Sequence, residues 1–352
     1  MKNMRIAFVN DTFIEGNGVS TVIYELARRL GKIHDVFIIA PEIDMPEDNF
    51  KIIKIKGRKL LSSNSLNDSI QYFPNLIRLR KEILNLHKKY NFDIFNVHHS
   101  SLNPAFFSLP SVITWHGSPF SKNIFRVYLN KAILLTLRKK PVSLVISDYM
   151  KENLSKIIHR DKIKVVYNGV SEEFNPKKKD KKFMLFVGRL ENHKSVHELI
   201  RLSKEINFPI YIVGSGPLEP KLKNYAKLIN ADKVSFLGKI SKKELIKNYQ
   251  ECSFFISASK WEGFGLIFIE AAACRKPSIG YKRGSISEVI LNEKTGFLVD
   301  NYDNLKEKAV LLINNKKLRE KMGKEALRYS KKFSWENSAK EYEKIFKSIS
   351  SA

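Results

Sequence analysis

The feature that most constrains the fold is an alternation of short apolar segments with longer amphipathic segments, which begins twice along the chain. Short apolar runs between amphipathic helices are typical of a parallel sheet covered on both faces. In the first half the pattern predicts strands at 4–10, 35–40, 51–55, 93–97, 111–115, 142–147 and 163–166, with helices at 17–31, 75–90, 121–138 and 148–158. In the second half it predicts strands at 183–187, 209–213, 234–236, 253–256 and 277–279, helices at 195–206, 218–229, 241–250, 264–274 and 285–291, and a last pair of helices from 303.

The two halves are separated by residues 168–182, where Pro176 and a lysine-rich run break the periodicity. We therefore predict an α/β fold of two doubly wound Rossmann-like domains that face each other across a cleft. The expected boundaries are a first domain at 1–168, a linker at 169–182, a second domain at 183–330 and a C-terminal helix at 331–352 that returns to the first domain. Ligands of such sheets bind beyond the carboxyl ends of the strands.

Composition narrows the class of protein further. With 352 residues and 43% hydrophobic content the chain is long and apolar enough for a large core, which excludes wholesale disorder. Two cysteines do not make a disulfide scaffold or a zinc site. There is no signal-peptide layout, and no apolar run approaches the roughly 18 residues that span a bilayer. We expect a cytoplasmic protein that binds no metal.

The net charge of +26 points to an acidic partner such as nucleic acid, anionic lipid or a phosphorylated substrate. The excess is concentrated in residues 51–140, which include basic amphipathic segments at 75–90 and 124–140. Such segments suit an anionic membrane surface, and we expect peripheral attachment to the cytoplasmic membrane face through this region. The alternative is that these helices face the core and carry a solvated basic side. A nucleic-acid-binding protein is the rival from charge alone, but no RNP, KH or zinc-finger pattern accompanies the charge, and we expect no nucleic-acid partner.

Three glycine-rich turns follow predicted strands. In the first, Gly16 and Gly18 precede a helix whose N-terminal N–H groups suit a phosphate. Thr21 stands where a dinucleotide-binding fingerprint needs its third glycine, which disfavours an NAD-dependent dehydrogenase. The other two turns contain Gly188 and the pair Gly214 and Gly216. For the first of the three turns, a simple turn without a ligand is the alternative.

Charged residues accompany two strand ends in the second half. Arg189 and Lys194 follow Gly188 and are suited to bind a diphosphate, although a solvated loop is the alternative. In the string 259–270, Glu262 lies in a loop and Glu270 lies eight residues later in a helix. Ionised carboxylates accept hydrogen bonds from hydroxyls, so the two glutamates suit the two ends of a sugar nucleotide. The alternative is a solvated pair of glutamates.

The string 259–270 resembles the E-x7-E signature of retaining, family-4-type glycosyltransferases with the GT-B fold. Further pieces occur in that family's order and extend the resemblance over essentially the whole chain. They are the G-x-G loop, Trp115-His116-Gly117, Asn168-Gly169-Val170, Gly188-Arg189 with Lys194, Val213-Gly214-Ser215-Gly216-Pro217, and Gly284-Ser285-Ile286-Ser287-Glu288-Val289.

The resemblance implies a transferase that moves a sugar from a nucleotide sugar to a glycan, lipid-linked or other acceptor, without metal or cofactor. Arg189 and Lys194 resemble the family's diphosphate-binding cations. Glu262 resembles the group that holds the donor sugar's hydroxyls, and Glu270 the group that binds the ribose. The remaining implied donor contacts are Gly16, Gly18, Gly188, Gly214, Gly216, Lys239, Ile240, Gly263, Phe264, Gly265 and Leu266. Lys239 and Ile240 belong to the loop that resembles the family's base-contacting segment.

Three histidines of the first domain are candidate site residues. His116 resembles the family's histidine that faces the reaction centre, while a satisfied histidine at a strand end is the alternative. His98 and His99 end another predicted strand, and we expect them on the acceptor side. The other histidines, namely His34, His87, His159, His193 and His197, are predicted at the surface.

Two positions depart from the family pattern, and one mechanistic choice stays open. Ser195 stands where the family has glycine after the lysine, and Asn17 precedes Gly18 in place of another glycine. We expect front-face attack, in which the leaving phosphate takes the acceptor's proton; a two-step covalent route remains an alternative. A GT-B phosphorylase is the rival within the same class, and turnover with inorganic phosphate distinguishes it.

Overall fold

In the computed structural model the chain divides into two compact units, Met1–Asn168 with Trp335–Ala352, and Gly169–Ser334. The structure describes residues 3–56, 66–98, 102, 105–106, 108–117, 142–177 and 179–350, with the side chains of 66–73 left out. The predicted helix at 121–138 and the residue His99 lie outside these described residues.

The first unit is built on a parallel sheet in the order β5-β3-β1-β6-β7-β8-β9, beside a two-stranded β2-β4 pair. The strands are β1 (Arg5–Val9), β2 (Thr12–Phe13), β3 (Asp35–Ala40), β4 (Glu42–Ile43), β5 (Lys51–Lys54), β6 (Ile94–Val97), β7 (Ser111–Trp115), β8 (Ser143–Val145) and β9 (Ile163–Val165). The central strands are buried along nearly their whole length because helices cover both faces, and this explains their continuous apolar sequence.

The second unit repeats the design with a parallel sheet in the order β12-β11-β10-β13-β14-β15. Its strands are β10 (Met184–Val187), β11 (Ile210–Val213), β12 (Val234–Gly238), β13 (Phe254–Ser257), β14 (Ser278–Tyr281) and β15 (Gly296–Val299). The chain winds outward from β10 in one direction and then from β13 in the other. The strand order therefore reverses between these neighbours, and in open α/β sheets ligands bind at such a switch point.

Helices connect the strands of both units. They are α1 (Gly18–Leu30), α2 (Leu66–Tyr90), α3 (Asp148–Ser155), α4 (Val196–Glu205), α5 (Glu219–Leu228), α6 (Lys242–Glu251), α7 (Leu266–Ala273), α8 (Ile286–Val289), α9 (Tyr302–Asn314), α10 (Lys316–Ser330) and α11 (Trp335–Ser350). These two sheets with their helices confirm the predicted α/β class with two Rossmann-like folds.

Several predicted elements are wrong in detail. Helix α2 begins at Leu66, not at 75, and continues through Pro74. Strand β15 was not predicted, because four apolar residues after a turn carry little periodicity. From residue 302 onward the described chain forms the three helices α9, α10 and α11. Asn315 leaves the helical conformation and its side chain accepts from Leu318 N, which ends α9 and begins α10.

Helix α11 belongs to the first unit and packs there on α1 and the sheet. Glu336 accepts a hydrogen bond from Arg29 Nε at 2.8 Å, and Phe346 lies edge-on to Phe8 in β1.

His34 is buried at 6% exposure, with Glu343 Oε1 at 3.3 Å from its Nε2, so its predicted surface position is wrong. His87 and His193 are half-buried, whereas His159 and His197 are exposed as predicted.

Candidate functional site

Two loops meet at the switch point of the second unit. One follows β10 and carries Lys194, and the other follows β13 and carries Glu262. Lys194 Nζ lies 2.6 Å from Glu262 Oε1, and the two side chains are only 11% and 12% exposed. The loops are also joined by Lys260 N, which donates to His193 O at 2.7 Å. The sequence predicted both residues as donor contacts but did not predict that they pair.

The local backbone explains how Glu262 is held. Its carbonyl oxygen accepts a hydrogen bond from Ser285 Oγ at 2.9 Å. Gly284 adopts φ +62, and a Cβ there would approach Glu262 O to 3.0 Å. The Gly284-Ser285 turn therefore supports the loop that carries the glutamate. The sequence analysis included this turn in the resemblance to the family but predicted no role for it.

Arg189, the second predicted diphosphate ligand, has a different environment. Its side chain is 69% exposed and its Nη2 lies 3.0 Å from Glu191 Oε1. An exposed pair of this kind contributes little to stability. The guanidinium therefore loses little when it exchanges Glu191 for a bound anion.

Glu270 lies in the second turn of α7, partly buried, and accepts a hydrogen bond from Tyr249 Oη on α6 at 2.9 Å. Burial raises the pKa of Glu270 to about 7, although the Tyr249 hydrogen bond and the charge of Lys242 oppose the shift. Tyr249 is fully buried. No spacing in the sequence pointed to it, because its partner is 21 residues away on another helix.

The glycine-rich turn after β11 packs directly against the turn after β10. Gly188 N donates to Val213 O and Leu190 N donates to Ser215 O, both at 3.0 Å. A Cβ on Gly214, which has φ +118, would lie 2.1 Å from Gly188 O. A Cβ on Gly216 would lie 2.5 Å from Leu190 O. Close approach of two backbones thus requires both glycines, independent of any ligand.

The other predicted donor contacts are distributed around this edge of the sheet. The run Gly263, Phe264, Gly265 leads into α7 at Leu266, and Gly265 takes the left-handed φ of +96 that delays the helix start from the predicted 264. Phe264 is 3% exposed and packs on Phe333, so only its backbone is placed for a ligand. Lys239 and Ile240 follow β12, where Gly238 O accepts from Gly214 N at 2.8 Å.

In the first unit, Gly16 and Gly18 stand before and at the start of α1. A Cβ on either one would meet nothing within 4 Å. Gly16 has the left-handed φ of +77 that favours glycine, whereas Gly18 does not, so neither packing nor backbone conformation requires glycine at position 18. Asn17 between them is the N-cap, and its Oδ1 accepts from Val19 N at 2.9 Å and Ser20 N at 3.3 Å. The cap therefore engages two N–H groups that the sequence had suggested for a phosphate.

His98 and His116 follow the neighbouring strands β6 and β7. His98 Nδ1 lies 2.8 Å from His116 Nε2, and the rings stack at 5.0 Å with an angle of 20°. His98 is only 2% exposed, whereas His116 is partly exposed. Burial and, second, the charge on His116 lower the pKa of His98 well below its usual range.

Among the described residues, no three or more His, Cys, Asp or Glu side chains converge in a way that would hold a metal ion. Cys252 and Cys274 are buried free thiols, and burial raises the pKa of Cys252 to about 12. Within the same described part of the chain, none of the helices combines the length and apolar character that crossing a membrane requires.

Ser195, the departure next to Lys194, sits under strain. It adopts φ +47, it is 1% exposed, and its Oγ has no hydrogen-bond partner in the described structure. A left-handed conformation costs a non-glycine residue roughly 1–2 kcal/mol, and glycine recovers this at some cost in unfolded-state entropy. We expect Ser195→Gly to raise the free energy of unfolding by about 1 kcal/mol, as measured by urea denaturation.

The matched control is Asn207→Gly, at an exposed residue with φ +50. Asparagine tolerates this conformation, so the control should gain much less. A Ser195→Gly variant that is less stable than the wild type would contradict the assignment of strain.

Two family models and two curated relatives that match this chain are named as glycosyltransferases. The model of the family "Glycosyl transferases group 1" matches residues 170–329, and that of "Glycosyltransferase Family 4" matches 16–174. MJ1178 of Methanocaldococcus jannaschii, named as an uncharacterized glycosyltransferase, is 30% identical over 346 residues, which cover 95% of each chain. The GPI3 subunit of phosphatidylinositol N-acetylglucosaminyltransferase from Saccharomyces cerevisiae is 25% identical over 98% of this chain and 83% of its own.

Solved structures match the fold over the whole length. Sucrose-phosphate synthase from Thermosynechococcus elongatus superposes with a TM-score of 0.86 at 18% identity, covering 99% of both chains. HepE of Anabaena, solved in complex with UDP-glucose, gives a TM-score of 0.81 at 14% identity, covering 98% of this chain and all of its own.

Proposed function

This chain belongs to the group 1 and family 4 glycosyltransferases with the GT-B fold, and from this membership we propose a donor, a stereochemistry and a set of site residues. The donor is a nucleotide-activated hexose, and the transfer retains the configuration of its anomeric carbon. The observation that carries the proposal is the buried pair of Lys194 and Glu262 at the switch point of the second unit. UDP-glucose bound to HepE, a protein of the same fold, supports the donor class.

The donor's parts are assigned to separate groups of the second unit. The ammonium of Lys194 has three N–H donors. One of them donates to Glu262, so two N–H groups remain to bind a phosphate. The exposed guanidinium of Arg189 is a second cation for the diphosphate. Glu262 accepts from sugar hydroxyls, and Glu270 accepts from the ribose. His116 in the first unit acts at the reacting sugar.

The chemistry follows from this set of charges. The acceptor hydroxyl attacks the anomeric carbon on the face that the diphosphate leaves. The carbon–phosphate oxygen bond breaks, the glycosidic bond forms, and a leaving phosphate oxygen takes the acceptor's proton. Lys194 and Arg189 stabilise the charge that develops on the diphosphate. We therefore expect transfer to proceed without added divalent metal.

For the acceptor we propose an anionic, lipid-linked molecule bound by the first unit. The net charge of +26 favours such a partner. Lys56 and Arg78 line a small cavity with Asn10 and Asp11 at the carboxyl ends of β1, β3 and β5. The GPI3 relative carries phosphatidylinositol in its name, which is an anionic lipid acceptor.

The experiment is a transfer assay with a panel of nucleotide sugars and with lipid and soluble acceptors, run with and without EDTA. The expected product is an α-glycoside from an α-linked donor, formed equally in EDTA. A β-product would contradict retention, and strict dependence on metal would contradict the charge assignment. Turnover that requires inorganic phosphate would identify a phosphorylase. Flotation with anionic and neutral liposomes tests the expected attachment of the protein to an anionic membrane surface. Equal binding to both kinds of liposome would contradict that attachment.

Glu270 predicts a defined pH dependence. Its folded pKa of about 7 lies above the ordinary 4.5, so its ionisation destabilises the unliganded fold as pH rises from 4.5 through 7. We expect Glu270→Gln to be more stable than wild type by about 1–3 kcal/mol at pH 8 and equally stable near pH 4. Thermal or urea unfolding across this range measures the difference.

The same substitution should weaken donor binding. The ionised carboxylate accepts two ribose hydroxyl hydrogen bonds, so wild-type affinity for a nucleotide sugar should rise as pH passes 7. Glu270→Gln should bind about ten-fold more weakly at pH 8 and lose this pH dependence. A variant with unchanged affinity would contradict the assignment to ribose.

A further inference from the structure

The two histidines of the first unit form a pair whose hydrogen positions can be worked out. His98 directly follows β6 and His116 directly follows β7, and these strands are parallel neighbours with Val97 opposite Ile113. The pairing of the strands places both residues at the same edge, with Nδ1 of one ring 2.8 Å from Nε2 of the other. The chain fixes His98 on its other sides as well. The backbone N–H of His98 donates to Val9 O at 2.9 Å, and the centroid of its ring lies 5.5 Å from that of Phe8.

One hydrogen atom lies between His98 Nδ1 and His116 Nε2, and either nitrogen can be the one that carries it. His98 is neutral, because burial lowers its pKa well below the usual range. Either His98 Nδ1–H donates to His116 Nε2, or His116 Nε2–H donates to His98 Nδ1. These two arrangements differ in what they leave on His98 Nε2, a buried atom without a hydrogen-bond partner in the described structure. In the second arrangement Nε2 is an N–H with nothing to donate to, whereas in the first it is only a lone pair. Orphaned buried N–H groups are the rarer of the two in folded proteins, so the first arrangement is favoured.

We propose that His98 is a positioning residue that acts through His116. Its Nδ1–H donates to His116 Nε2, which holds the ring of His116 in place and leaves the ring proton of His116 on Nδ1. At 2% exposure His98 is placed to support His116 and not to touch an acceptor. This inference rests on the proposed function, in which His116 acts at the reacting sugar.

Two substitutions at His98 separate positioning from packing. His98→Phe keeps an aromatic ring against Phe8 but removes the donor. His98→Asn carries an amide N–H near the place of Nδ1. We expect His98→Phe to lower kcat at least ten-fold with the donor KM within two-fold of wild type, and His98→Asn to recover kcat to within about three-fold. Full kcat in the Phe variant, or equal losses in both variants, would overturn the proposal.

A second measurement does not depend on turnover. Long-range ¹H–¹⁵N NMR of histidine-labelled protein reports which ring nitrogen carries the proton, and His116→Gln identifies the signals of His116. The expected wild-type state is the Nδ1–H form, which becomes a mixture in His98→Phe. The exposed His197 supplies the control, since His197→Phe should leave the His116 signals and kcat unchanged. An Nε2–H form of His116 in the wild type would overturn the proposal. If no donor supports transfer, the proposed function fails while the NMR result still decides the role of His98.

Discussion

Replacing Lys194 with methionine is expected to lower transfer by about 10²–10³-fold, the loss typical of removing one group that stabilises transition-state charge. Glu262→Gln should lower transfer by a similar factor, because the amide carries no charge and replaces one accepting oxygen of the carboxylate with an N–H donor. Both are near-isosteric changes, so the loss reports charge and not volume. The measurement is kcat with a saturating nucleotide sugar.

The same pair predicts a non-additive effect on stability. Each single substitution leaves the other charge buried at about 90% without its partner. Breaking a buried ion pair from one side costs roughly 3–5 kcal/mol, whereas removing both charges is often neutral. The double variant Lys194→Met with Glu262→Gln should therefore unfold at a higher denaturant concentration than either single variant, and it should remain inactive.

A matched control is the exposed pair of Arg201 and Glu205 on α4, whose atoms lie 2.6 Å apart. Arg201→Met should change the free energy of unfolding by no more than about 0.5 kcal/mol and leave transfer intact. Near-normal turnover in both single variants at the switch point would contradict the site assignment. Additive destabilisation in the double variant would contradict the pairing.

The second large effect is expected at Gly214, where alanine should destabilise the second unit by more than about 3 kcal/mol. The new Cβ would lie 2.1 Å from Gly188 O, and φ +118 is a conformation that L-residues rarely adopt. The atoms that the new Cβ would meet all belong to the backbone of Gly188, so no side chain can rotate away to relieve the clash. Urea denaturation, with hydrogen exchange to locate the change, measures the loss.

Gly18→Ala is the counterpart with the opposite expected result. Its Cβ would meet nothing within 4 Å, and its backbone is not left-handed. The fold should be as stable as wild type, while donor KM rises about ten-fold if the backbone of this turn approaches the donor phosphates. A Gly214→Ala variant that unfolds like wild type would contradict the packing of the two turns, and unchanged kinetics in Gly18→Ala would remove that turn from the donor site.

The sequence predicted the strands well because buried parallel strands are continuous apolar runs. Strands β3 and β7 begin and end where their patterns do. Helix starts were less accurate where a left-handed residue intervenes. Gly265 delays α7 to Leu266, and Ser195, also left-handed, immediately precedes α4. Such single-residue conformations leave no periodic signal.

The candidate site residues could be selected from the sequence by residue type, but the residues that they contact could not. Lys194 and Glu262 are 68 residues apart and meet only because β10 and β13 are neighbours, an adjacency that no local pattern encodes. Tyr249 reaches Glu270 for the same reason, through the packing of α6 beside α7. His98 was expected on the acceptor side, but its contact with His116 depends on the adjacency of β6 and β7, which no local pattern encodes.

The measurement that tests the central claim most directly is calorimetric titration of the wild type and of the double variant Lys194→Met with Glu262→Gln, using a panel of nucleotide sugars. The wild type should give saturable heat with at least one of them, and the folded double variant should give none with that same ligand. Absence of heat with every nucleotide sugar, or the same heat in the double variant, would contradict the claim that this pair binds the donor.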